Sequence, residues 1–110
     1  MKIDHIAIKV SDIHAASDWY CDKLGSKVIY ESDSYKQIQL DNTILAIIDE
    51  NRYKHSHIGI YVDKIEDFPE NGHVIHHRDG SIGCYLLDPF GNCVEFIYYG
   101  QNSDENSQIE

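Results

Sequence analysis

Two histidines and one glutamate stand at comparable places in a sequence repeat, and together they have the chemistry of a metal site. His5 opens the segment HIAIKVSDI, and His57 opens the segment HIGIYVDKI 52 residues later, with five of nine positions identical. A lone carboxylate, Glu95, interrupts the last apolar run of the chain. Two neutral imidazoles and one carboxylate on one side of a metal leave other coordination positions open to a substrate. The pattern therefore predicts that His5, His57 and Glu95 bind a metal ion.

Single histidines and glutamates are usually ordinary surface or half-buried residues, so each of the three residues alone is weak evidence for a metal site. Their equivalent positions in the repeat strengthen the interpretation. Aligning the ends of the two halves places Ala46 opposite Glu95, so three of four equivalent positions carry metal ligands. Strand alternation puts Ala7 on the face of His5 and Gly59 on the face of His57. These small neighbours leave room for a ligand beside the predicted site.

The elements that would position these residues follow from hydrophobic periodicity and from turn residues. The first half predicts a strand at 3–10, a helix at 13–24 that ends at Gly25, and strands at 27–32, 35–40 and 43–49. The second half predicts strands at 56–62, 73–77, 82–88 and 93–99, with only a short helical turn at 64–68 before Pro69. We therefore expect an α+β fold of two βαβββ modules in tandem. The modules span about 1–50 and 55–100 of a single domain at 1–100.

Composition narrows the choice of partners. The 110 residues carry a formal net charge of −10, which argues against binding nucleic acid. No apolar stretch approaches a membrane span and no leader-like segment precedes the first strand, so we expect a cytoplasmic protein that does not contact a membrane.

Three cysteines without paired spacing favour reduced thiols. The polar acidic segment 101–110 is expected to be a disordered tail.

The sequence resembles the vicinal oxygen chelate superfamily, which contains glyoxalase I, bleomycin resistance proteins, fosfomycin-resistance enzymes and extradiol dioxygenases. The resemblance covers about residues 2–100, and its carriers are the segments 3–8, 19–25, 57–60 and 85–95. It implies two βαβββ modules whose curled sheets form a half-open barrel around a divalent metal, with ligands at His5, His57 and Glu95. The fourth ligand position of glyoxalase I corresponds to Ala46, which has no ligand atom and disfavours that activity.

The last strands suggest a reaction. His76, Tyr85, the segment 88–92 and Glu95 are similar to the C-terminal signature of extradiol ring-cleaving dioxygenases. This resemblance implies that Tyr85 helps to deprotonate a catechol and that His76 hydrogen-bonds to a substrate oxygen. We predict a metal-dependent enzyme of the extradiol dioxygenase type that acts on a small molecule with vicinal oxygens. Fe(II) is the favoured metal, with Mn(II), Zn(II) and Ni(II) as alternatives.

Other activities of the same superfamily remain open at this stage. A fosfomycin-resistance-like thiol transferase would use the same three ligands but needs a cationic pocket, for which Arg78, Lys54 and Lys36 are the candidates. A glyoxalase-like lyase is a further enzyme alternative. A metal-free drug-sequestering protein of the bleomycin resistance type would instead use an aromatic groove between two chains, and Trp19 with eight tyrosines supplies the aromatics. A homodimer is expected in each case.

Overall fold

The computed structural model describes residues 1–100, and the predicted tail at 101–110 lies outside the described residues. The elements in chain order are β1 (Lys2–Val10), α1 (Ile13–Leu24), β2 (Val28–Ser32), β3 (Tyr35–Gln39), β4 (Ile44–Asp49), β5 (His57–Tyr61), a 3-10 helix (Ile65–Asp67), β6 (His73–His76), β7 (Ile82–Leu87) and β8 (Cys93–Tyr98). The strands hydrogen-bond in the order β2-β3-β4-β1-β5-β8-β7-β6. This succession confirms the predicted βαβββ order in both halves. None of the helices within residues 1–100 has the length and apolar character needed to cross a membrane.

Two compact units make up the fold. The first unit is His5–His57, and the second unit combines Met1–Asp4 with residues 58–100. In the first unit, β1 pairs with β4 in parallel, while β3 pairs antiparallel with both β2 and β4. In the second unit, β7 pairs antiparallel with both β6 and β8.

Helix α1 covers one face of the strands of the first unit. Its start is capped by the Asp12 side chain, which accepts hydrogen bonds from the backbone N–H groups of His14 and Ala15 at 3.1 and 3.0 Å. Its end is capped by Gly25 at a φ of 64°, a left-handed conformation that glycine adopts without steric cost. The apolar side of the helix packs on a buried cluster formed by Ile13, Ile38, Leu45 and Ile47.

The opposite face of the same strands carries a second cluster, formed by Ala7, Tyr35, Ala46 and Ile48 with Tyr30 and Tyr53 packed against it. Ala7 and Ala46 are partners in the parallel pairing of β1 with β4. Since residues two apart on a strand share a face, His5 lies on this face and not on the face covered by α1. The first unit therefore separates an apolar packing face from a face that carries His5.

Within residues 58–100 the second unit has no long helix, as the position of Pro69 predicts. The 3-10 helix occupies the corresponding place, and β7 and β8 meet in a tight turn. At this turn Asp88 accepts hydrogen bonds from the backbone N–H groups of Phe90 and Asn92, each at 2.8 Å. The Asn92 side chain donates a further bond to Asp88, and these bonds hold the pKa of Asp88 below its usual value. The turn fixes the register of β8, the strand that carries Glu95.

Candidate metal centre

Two imidazole rings meet within the first unit. The Nε2 atoms of His5 and His57 are 3.1 Å apart, and the ring planes are perpendicular with centroids 5.2 Å apart. His5 is buried and His57 is half-buried. A histidine nitrogen binds zinc at about 2.1 Å, so two nitrogens separated by 3.1 Å fit one ion with an angle of about 95° at the metal. The pair therefore has a spacing suited to a shared metal ion, provided that both rings carry their proton on Nδ1.

The backbone around Lys9 holds the His57 segment in place. The N–H of Lys9 donates to the Ser56 hydroxyl at 2.9 Å, and the Lys9 ammonium donates to the backbone carbonyl of Lys54 at 3.0 Å. Both contacts join β1, which carries His5, to the residues directly before His57. These contacts hold two histidines that are distant in sequence close to each other.

Glu95 occupies a buried position on β8 in the second unit. Its side chain is 0% exposed, and its Oε2 accepts a hydrogen bond of 2.7 Å from Nε2 of His77, whose side chain is 4% exposed. Tyr85 on β7 is the cross-strand partner of Glu95, so the two side chains share a face. The rings of Tyr85 and His77 are in an edge-to-face arrangement with centroids 6.4 Å apart. The second unit therefore groups a carboxylate, an imidazole and a phenol.

The structure brings His77, not His76, to this group. His76 is exposed on β6 and pairs with Ile82. Since Ile82 is three positions from Tyr85, alternation places His76 on the face opposite to Tyr85 and Glu95. The sequence predicted His76 for this group, and choosing His77 instead requires the register of β6 against β7.

Two buried thiols lie in the same unit and stay protonated at neutral pH. Burial raises the pKa of Cys84, and burial together with the negative charge of Glu95 raises the pKa of Cys93. Cys21, Cys84 and Cys93 are all free cysteines.

Comparisons with solved structures support the fold. The chain is similar to a glyoxalase/bleomycin resistance protein/dioxygenase superfamily member from Vibrio splendidus 12B01, with 15% identity, coverage of 88% of this chain and 97% of that chain, and a TM-score of 0.68. Methylmalonyl-CoA epimerase from Mycobacterium tuberculosis matches with 12% identity, coverage of 94% and 91%, and a TM-score of 0.68. A hypothetical protein from Bacillus halodurans C-125 matches with 17% identity, coverage of 99% and 97%, and a TM-score of 0.67.

At these identities the matches establish the fold alone, and they confirm the predicted fold class. No curated protein sequence matches the chain significantly. The family model described as "Glyoxalase/Bleomycin resistance protein/Dioxygenase superfamily" matches residues 2–79, which include His5 and His57 but not Tyr85 or Glu95. The chain therefore belongs to the glyoxalase/bleomycin resistance protein/dioxygenase superfamily.

Proposed function

We propose that the protein binds one divalent metal ion through His5, His57 and Glu95. The observation that carries this proposal is the 3.1 Å separation of the Nε2 atoms of His5 and His57. The sequence repeat supports Glu95 as the third ligand, because Glu95 stands at a position equivalent to those of the histidines. The donor set of two imidazole nitrogens and one carboxylate oxygen suits Fe(II) and also accepts Mn(II) or Zn(II). Fe(II) is the metal that we propose.

The reaction that we propose is a dioxygenase-like cleavage of a small molecule with two vicinal oxygens. When bound, the metal supplies Lewis acidity that favours loss of protons from a chelated diol. We propose that the Tyr85 hydroxyl exchanges a proton with a substrate oxygen, and the face that Tyr85 shares with Glu95 supports this role. Ala7 and Ala46 present only methyl groups on the face of His5, which limits steric conflict with a ligand there.

The thiol transferase alternative has weaker support from the positions of its cations. Lys36 pairs with Ile47 across β3 and β4, and Ile47 belongs to the cluster covered by α1. Lys36 therefore faces away from His5. Its ammonium contacts the carboxylate of Glu31 at 3.2 Å, which offsets its charge. A phosphonate pocket on the face of His5 would have to rely on other cations.

Metal content after anaerobic purification and Fe(II) reconstitution tests the ligand assignment. We expect near-stoichiometric iron in the wild type and a loss of iron in both His57→Ala and Glu95→Ala. His14→Ala is the matched control, because His14 is an exposed histidine on α1 and should leave iron binding unchanged. Iron that remains bound to both ligand variants would refute the assignment.

Oxygen consumption by the iron-loaded protein tests the reaction. With simple catechols we expect Fe(II)-dependent oxygen uptake and a yellow ring-cleaved product. Tyr85→Phe should keep its iron and lose most of the turnover, because only the phenolic hydroxyl is removed. His76→Gln tests the role that the sequence predicts for the exposed histidine. Mn(II)-dependent thiol consumption with an epoxide would favour the transferase instead, and tight drug binding by metal-stripped protein would favour sequestration.

We also propose that the protein is a homodimer in the cytoplasm. The turn between β7 and β8 presents two apolar side chains to solvent, since Leu87 is 52% and Phe90 is 88% exposed. Exposed apolar side chains that lie close together are typical of subunit contacts. Sedimentation equilibrium of wild type and Phe90→Ser tests the dimer. A monomeric wild type at micromolar concentration would contradict it.

A further inference from the structure

We infer that His77 is a positioning residue that fixes the carboxylate of Glu95, and that Gly83 provides the space in which this contact forms. The inference rests on the proposed function, because it concerns the orientation of a proposed metal ligand. The inference assigns roles to His77 and Gly83, neither of which is a proposed metal ligand. Both lie in the second unit with Glu95.

The contact between His77 and Glu95 has the geometry of a strong hydrogen bond. Nε2 and Oε2 are 2.7 Å apart, and both side chains are almost fully removed from solvent. An ionised carboxylate offers only acceptors, so Nε2 of His77 carries the proton and donates it. A bond of this kind is stronger in a buried environment than in water, because the local dielectric is low. One oxygen of Glu95 is thereby held in a defined place.

The backbone of His77 is itself fixed. Its N–H donates to the carbonyl of Ser81 at 2.9 Å, and its carbonyl accepts from the N–H of Gly80 at 3.1 Å. These bonds close the hairpin that joins β6 to β7. The imidazole therefore projects from an ordered turn, so holding the carboxylate costs little additional conformational entropy.

The close approach of His77 and Glu95 to Gly83 supports the same inference. A Cβ at this position would lie 2.2 Å from Oε2 of Glu95 and 2.7 Å from Nε2 of His77. Among residues 1–100, the glycines with positive φ are Gly25, Gly80, Gly91 and Gly100, so the backbone at 83 does not itself call for glycine. The need for glycine comes from the side chains of His77 and Glu95, which occupy the space that a methyl group would take.

The hydrogen bond to His77 determines the orientation in which the Glu95 carboxylate could bind a metal. With Oε2 bound to His77, rotation of the Glu95 carboxylate would break a buried hydrogen bond, so the carboxylate is held in one orientation. Partners that orient a metal ligand in this way typically change metal affinity by about 10-fold to 100-fold when they are removed. The metal site thus depends on residues that never touch the metal.

Mn²⁺ binding, followed by loss of the electron paramagnetic resonance signal of the free ion, tests the inference. His77→Phe keeps the ring volume but has no donor, whereas His77→Gln places an amide N–H near the position of Nε2. We expect about a 10-fold to 100-fold weaker Mn²⁺ affinity for His77→Phe and a value within about threefold of wild type for His77→Gln. Gly83→Ala should weaken binding as His77→Phe does, because its methyl group displaces both side chains. His14→Phe, at an exposed histidine of α1, is the control and should bind as wild type does.

Thermal unfolding of the metal-free variants separates positioning from general stability. Gly83→Ala and His77→Phe should each lower the unfolding temperature, because each breaks the buried hydrogen bond of Glu95. Their Mn²⁺ affinities are therefore compared with wild type at a temperature at which each variant is folded. Wild-type affinity in both His77→Phe and Gly83→Ala would overturn the inference while leaving the metal site intact. If His77→Phe does not fold, Gly83→Ala and His77→Gln still decide the matter. A wild type that does not bind Mn²⁺ or Fe(II) would instead refute the proposed function, and the inference with it.

Discussion

The hydrogen bond between Tyr99 and Asp4 gives a prediction whose size and pH dependence follow from the structure. The Tyr99 hydroxyl donates to Oδ2 of Asp4 at 2.6 Å, and the Tyr99 ring stacks on Tyr61 with centroids 6.1 Å apart. Asp4 directly precedes His5 on β1, so this bond anchors the strand next to a proposed ligand. Tyr99→Phe removes the donor and keeps the ring. A hydrogen bond to a charged group contributes about 2 kcal/mol, so the free energy of unfolding should fall by that amount.

The pH dependence has a definite sign. Burial, followed by the charge of Asp4, raises the pKa of Tyr99 well above its ordinary value. In the unfolded chain tyrosine ionises near a pH of about 10, while the folded protein keeps Tyr99 protonated. The stabilisation is therefore complete below pH 10 and is lost progressively above it. Tyr99→Phe lacks this loss, so its stability should approach that of wild type as the pH rises beyond 10.

Urea denaturation followed by circular dichroism at pH 7.5 and pH 10.5 measures both effects. At pH 7.5 a difference of about 2 kcal/mol corresponds to a melting temperature lower by about 10 °C for a domain of this size. Tyr98→Phe, at the adjacent tyrosine, is the matched control. A stability difference below about 0.5 kcal/mol at pH 7.5 would refute the hydrogen bond, because it falls below the range expected for a bond to a charged group. A stability difference that grows with pH would refute the raised pKa of Tyr99.

Four further predictions concern the helix cap, the core and the thiols. Asp12→Ala should lower the free energy of unfolding by about 1 kcal/mol in urea, because α1 loses its N-cap, and unchanged stability would contradict the cap. Ile38→Ala should cost about 3 kcal/mol, because Ile38 is fully buried beneath α1, and a loss below 1 kcal/mol would argue against that packing. Iodoacetamide at pH 8 should alkylate Cys21 before Cys93, as read by peptide mass spectrometry, because Cys93 is buried with a raised pKa. Glu95→Gln should make Cys93 react faster by lowering that pKa, and a slower reaction would contradict the charge effect.

The elements of the fold could be predicted because their signals are local. Alternation of apolar residues marked the strands, and Gly25 marked the end of α1 in the sequence and in the structure. Pro69 likewise predicted that the second half has only a short helical turn, and the structure has a 3-10 helix there. Such features depend on residues within a few positions of one another, so single-sequence reasoning reaches them.

Features that depend on strand register could not be predicted in the same way. The partner of Glu95 is His77, and choosing it over His76 requires the pairing of β6 with β7. The role of Gly83 was also missed, since its significance lies in two side chains that approach it from other positions in the chain. A glycine inside a strand pattern was the available signal, because such a residue often marks a close approach.

The parallel pairing of β1 with β4 has a consequence for the order of folding. β2, β3 and β4 follow one another as antiparallel neighbours, so they can form from contacts that are close in sequence. The pairing of β1 requires that β4 is already in place, and only then can His5 lie beside Ile44. Pairings between distant segments form late because loop closure opposes them. We therefore expect His5 to reach its place late in folding. If His5 binds the proposed metal, the metal should slow unfolding without accelerating folding.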